Sequence, residues 1–139
     1  MNVVFADTSF YVALASPRDG LHQAALSTGD HWDGAVITTE YVLWELGNYF
    51  CCPPERKVFI DLVQALREDA QTRVIPASPS LFEEGLRIYT ARLDKSWSLT
   101  DCISFTVMEV HGITEALTCD HHFEQAGFRV LLTRDKWEQ

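Results

Sequence analysis

Four acids stand out by the company they keep. Asp7 follows the apolar run Val3-Val4-Phe5-Ala6, and Glu45 sits inside Tyr41-Val42-Leu43-Trp44-Glu45-Leu46. Asp101 heads Cys102-Ile103-Ser104-Phe105, and Asp120 closes Ala116-Leu117-Thr118-Cys119. Carboxylates are seldom buried among apolar residues unless they are paired or hold a metal. Gathered in one place they would repel, and at least one would take up a proton unless a cation joined them. Mg2+ or Mn2+ suits such a set, because both prefer oxygen ligands. Two such ions about 4 Å apart can activate a water and stabilise the leaving oxygen of a phosphodiester, with no nucleophilic side chain. The chemistry these residues suggest is hydrolysis at phosphorus.

Each acid also has a plainer role. Asp7 and Asp120 precede helix starts, where an aspartate cap contributes about 1 kcal/mol. Ser98-Leu99-Thr100-Asp101 fits a capping box, and a carboxylate there favours the positive end of the helix dipole. Glu45 lies mid-helix, where capping does not apply, with Tyr41 and Tyr49 four residues to either side rather than lysine or arginine. His121-His122 lack the further nitrogen or sulfur ligands that zinc would want. Neighbouring helical positions point apart, so first-turn or surface roles are expected, with His122 able to approach a substrate phosphate.

The elements that must position these residues alternate. Strands are expected at Val3–Ala6, Ala35–Thr38, Val74–Ile75, Ala116–Cys119 and Val130–Leu132. Helices are expected from Asp7-Thr8-Ser9 through Leu14, over Leu21–Leu26, and from Thr39 to Tyr49 or Phe50 before Pro53-Pro54. Further helices carry Val58, Leu62 and Leu66, then Phe82, Leu86, Tyr89 and Leu93 as an inner face after Ser78-Pro79. The last two run from Ser98 to His111, stopped by Gly112, and briefly around Phe123. Alternation of this kind predicts one α/β domain over residues 1–139, with a parallel sheet covered on both faces. Ligands of open parallel sheets collect beyond the carboxyl ends of the strands, which is where Asp7 and Asp120 would meet.

A net charge of −9 weighs against broad nucleic-acid binding. An occupied acidic metal site would offset several of those charges, and the balance also suits a basic protein partner. The basic residues Arg56-Lys57, Arg87, Arg92, Lys95, Arg129 and Arg134 are dispersed and read as solvated faces. No GxGxxG or P-loop motif is present. Without a CxxC pair, Cys51, Cys52, Cys102 and Cys119 are expected to be buried, reduced thiols. No run is long enough to span a bilayer, and the first residues lack the basic region of a signal peptide. A cytoplasmic protein without membrane association is the expectation.

The ordered set resembles the PIN-domain nucleases, and within them the VapC-like ribonuclease toxins of toxin–antitoxin pairs. The resemblance is carried by Val3 to Ser9, Thr38-Thr39 leading to Glu45, Asp94-Lys95-Ser96-Trp97 before Ser98 to Phe105, and Thr118-Cys119-Asp120-His121-His122-Phe123. It implies a three-layer α/β/α domain around a central parallel sheet. It further implies that Asp7, Glu45, Asp101 and Asp120 ligate Mg2+ or Mn2+. Thr8 or Ser9, and Thr118, would hydrogen-bond ligands or the attacking water. Such proteins hydrolyse RNA, commonly dimerise, and are blocked by a small antitoxin whose arm covers the acidic cleft. A PIN-like module that docks RNA or protein without turnover is the alternative, and DNA cleavage a third possibility.

Overall fold

The computed structural model describes residues 2–132. The β-branched and apolar run at the start forms β1 (Val3–Ala6), and Val4, Phe5 and Ala6 are wholly buried. A strand buried on both faces is what a parallel sheet covered by helices requires. From β1 the chain passes through α1 (Thr8–Ala15), α2 (His22–His31), β2 (Ala35–Thr39) and α3 (Glu40–Tyr49). It continues through α4 (Arg56–Glu68), β3 (Thr72–Ile75), α5 (Pro79–Ala91) and α6 (Leu99–Val110), then β4 (Glu115–Leu117), α7 (His121–Gln125) and β5 (Arg129–Val130). Strand order is β3-β2-β1-β4-β5, every pair parallel. This is the α/β/α architecture expected, with its central parallel sheet.

Winding begins at β1 and runs outward in both directions, so the chain's course reverses between β1 and β4. Ligand crevices form at such a switch point, at the carboxyl edge. In register, Ala6 pairs with Leu117, which sets Asp7 and Thr118 side by side as the two strands end. The core beneath is aromatic: Phe105 of α6 packs edge-on against Phe123 of α7 at 5.0 Å, and Phe123 stacks with Phe5 at 6.3 Å. Residues 101–108 of α6 are all buried.

Several expectations need correction. Helix α2 starts later than Leu21 and runs to His31, because its second half is polar and shows no apolar periodicity. Strand β4 stops at Leu117, so Thr118 and Cys119 belong to the turn beyond it. Strand β5 spans only Arg129–Val130, although the N–H groups of Leu131 and Leu132 continue donating to the Ala116 and Thr118 carbonyls. The inner face of α5 is not Phe82, Tyr89 and Leu93, which are exposed; Gly85 is the buried residue, flanked by partly buried Leu81 and Ile88. A Cβ at position 85 would overlap the Ile103 side chain and lie 3.2 Å from its backbone nitrogen. Contact between α5 and α6 is therefore made by an absent side chain, which apolar periodicity cannot signal. Of the thiols, all free, only Cys102 is buried, while Cys51 and Cys52 lie in the α3–α4 loop and Cys119 beyond β4. Arg134 lies outside the described residues.

Candidate active site

Asp7 is held at the switch point by its own backbone, whose N–H donates to Leu117 at 3.1 Å. It occupies the N-cap position of α1 but makes no side-chain cap bond. Its Oδ2 turns instead toward β4, accepting from Thr118 Oγ1 at 2.9 Å and from Ser9 Oγ at 3.3 Å. The Ser9 and Thr118 hydroxyls lie 2.8 Å apart. Two amides complete the cluster: Asp120 N–H donates to Thr118 Oγ1 at 3.1 Å, and Cys119 N–H to Ser9 Oγ at 3.3 Å. Thus Thr118, Ser9 and the turn after β4 fix one buried carboxylate in orientation.

Asp101 does cap. Ser98 Oγ accepts from the Asp101 N–H, and Asp101 Oδ2 accepts from the Ser98 N–H, each at 3.0 Å. The same Oδ2 lies 3.3 Å from His122 Nδ1, so the capping carboxylate also faces α7. Asp120 caps that helix, accepting the His122 N–H at 2.9 Å, and its Oδ1 is 3.2 Å from His122 Nδ1. His122 therefore stands between two acids. Glu45 arrives from the middle of α3, whose start is fixed by Thr39 Oγ1 accepting from the Val42 N–H at 3.1 Å.

Asp7, Glu45, Asp101 and Asp120 line one cleft of about 400 Å³, with Thr8 and Ser9 in its wall. Asp19, Tyr49, Ser98 and Cys119 line it too. Asp19 was not legible as a site residue: Pro17-Arg18-Asp19-Gly20 reads only as a break in the chain, and Asp19 Oδ1 does accept the Leu21 N–H there at 2.9 Å. The expected divergence of the two histidines is overturned, since their rings lie 4.4 Å apart on the Asp120 side. A single short turn lets His121 fold back over its own cap.

Electrostatics follow from burial. Asp7 is pushed up from an ordinary 3.8 to about 7, chiefly by desolvation, then by the charge on Asp101 and least by Glu45, with the Thr118 hydrogen bond opposing. Asp101 is raised chiefly by burial, then by Asp120, with the Ser98 amide and His122 opposing. Carboxylates that share a site and resist ionisation mark a deficit of positive charge, which a bound cation removes. The wall also holds Thr8 Oγ1, buried without a hydrogen-bond partner among the described residues. Four carboxylates in one cleft fit a hard divalent ion that keeps several of its waters.

Fold and cleft define a class. Residues 4–129 match the PIN domain, and the chain belongs to that family. It is similar to the 23S rRNA-specific endonuclease VapC20 of Mycobacterium tuberculosis, at 30% identity over 129 residues, covering 91% of this chain and 95% of the relative. The crystal structure of Mycobacterium tuberculosis VapC20, a sarcin-ricin-loop-cleaving toxin, superposes with a TM-score of 0.83 at 27% identity, over 91% of this chain and 96% of that one. The fold is shared with VapBC2 from Rickettsia felis, solved with a DNA fragment from its promoter, at a TM-score of 0.66 and 11% identity, over 93% and 97% of the two chains.

Proposed function

We propose that the chain, as one PIN unit over residues 1–139, is a divalent-metal-dependent endoribonuclease and the toxin of a toxin–antitoxin pair. What carries this is the meeting of Asp7, Glu45, Asp101 and Asp120 at the switch-point cleft, in a chain similar to a 23S rRNA-specific endonuclease. These four would hold Mg2+ or Mn2+. When bound, such an ion would supply Lewis acidity toward a phosphate oxygen and lower the pKa of a water so that hydroxide is available as nucleophile. The chain's own part is placement. Thr118 and Ser9 orient Asp7, the Ser98 amide orients Asp101, and His122 keeps Asp101 and Asp120 from splaying apart. Thr8 Oγ1 is buried in the wall without a hydrogen-bond partner among the described residues.

The negative net charge does not leave the cleft without cations. A groove lined by Arg92, Lys95, Ser96 and Trp97 meets the cleft at Ser98, which lines both. Arg92 and Lys95 lie over the Trp97 ring at 5.1 and 5.8 Å from its centre. Arg92 is also paired with Asp94, at 3.0 Å. This local basic rim suits an RNA backbone, and a structured ribosomal RNA loop is the substrate class that the likeness to VapC20 suggests. Trp44 and Ile60, exposed around a mainly apolar groove between α3 and α4, suit cover by an antitoxin or a second copy in a homodimer. A cytoplasmic location completes the reading; no helix among the described residues is long and apolar enough to cross a membrane.

Cleavage of ribosomal RNA by purified protein in Mg2+ or Mn2+ tests the proposal. Chelator and Asp101→Asn should each abolish it, the variant keeping its circular dichroism spectrum. Equal cleavage by the folded variant and the wild type would refute the assignment. A folded wild type that binds neither ion at millimolar concentration would favour a docking module instead.

A further inference from the structure

The four cleft carboxylates surround a space rather than a point. Among the described residues, one group of three metal-competent side chains has ligand atoms all within 4.8 Å of one another: Asp120, His121 and His122. His121 Nδ1 lies 3.8 Å and His122 Nδ1 3.2 Å from Asp120 Oδ1. Ligand atoms bonded to one ion at about 2.1 Å stand about 3.0–3.4 Å apart, so closure needs shifts of roughly 1 Å. The side chains have that freedom, because His121 is 72% and Asp120 28% exposed.

The donor set also differs in kind from the rest of the cleft. Two imidazoles and a carboxylate suit borderline transition ions, whose affinities rise toward Cu2+, whereas oxygen-only sets suit Mg2+. We propose that Asp120, His121 and His122 form a chelating site at the rim of the cleft for a borderline divalent ion of the Ni2+, Cu2+ and Zn2+ class. Three protein ligands leave coordination positions open to water or to a phosphate oxygen. An ion there would engage the His122 nitrogen that now faces Asp101, so filling the rim would release one restraint on the Asp101 carboxylate. The site does not require that the chain cut RNA.

The test uses the full chain without an affinity tag, Ni2+ by calorimetry and Cu2+ by electron paramagnetic resonance near pH 7.5. The wild type should bind one Ni2+ at least about a hundredfold more tightly than Mg2+. Its Cu2+ spectrum should show coupling to two imidazole nitrogens. His121→Ala, on an exposed side chain that should not disturb folding, should weaken Ni2+ at least tenfold, remove one nitrogen coupling and leave the Mg2+ response unchanged. Spectra without nitrogen coupling, or equal Ni2+ affinity in wild type and His121→Ala, would overturn the site. Loss of RNA cleavage in Asp101→Asn is read separately, so either proposal can fail without the other.

Discussion

Replacing Asp7 by asparagine should make the metal-free protein more stable while destroying its response to Mg2+. The carboxyl is raised from 3.8 to about 7, mainly by burial and then by Asp101. A difference of roughly three pH units at about 1.4 kcal/mol each sets an upper limit of about 4 kcal/mol on the cost of ionising Asp7 in the folded state. Asparagine removes that cost and still offers an oxygen to Thr118 Oγ1, while its amide protons need partners of their own. A net gain of about 2–3 kcal/mol at pH 8 is expected. The sign follows from proton binding. Between pH 3.8 and about 7 the unfolded chain has lost this proton and the folded chain retains it, so the wild type loses stability as pH rises across that window. The variant's advantage should thus be absent below the window, grow through it and level off above pH 7. Urea unfolding in chelator at pH 5 and pH 8 measures it. Adding Mg2+ at ten times its dissociation constant should return about 1.4 kcal/mol to the wild type and much less to the variant. A variant no more stable than wild type at pH 8, or an advantage unchanged between pH 5 and pH 8, would refute the electrostatic account.

Two substitutions outside the cleft test the packing that supports it. Gly85→Ala should cost about 1–3 kcal/mol despite better helix propensity, because the new methyl meets Ile103. As α6 carries Asp101, the urea midpoint and RNA cleavage should fall together. Tyr11→Phe should be neutral or stabilising by up to about 1 kcal/mol, since the Tyr11 hydroxyl is buried without a partner among the described residues. A loss above about 1 kcal/mol on thermal or urea unfolding would show that this hydroxyl is satisfied.

What the sequence determined by itself was whatever is encoded within a few residues. The Ser98–Asp101 capping box forms as its spacing predicts, because both hydrogen bonds close within one turn. Alternation of short β-branched runs with helical periods was enough for a parallel α/β sheet, and the strand ends then marked Asp7 and Asp120. The tertiary structure decided whatever depends on distant partners. Asp7 is a legible helix cap in sequence, yet its carboxylate abandons that role for Thr118, 111 positions away. The raised pKa of Asp7 exists only because the fold removes water and brings in Asp101 and Glu45. Asp19 enters the cleft from a chain break, the inner face of α5 centres on a glycine, and His121 folds back over Asp120. Desolvation, close helix approach and charge–charge distance are properties of assembled elements, and no local spacing records them.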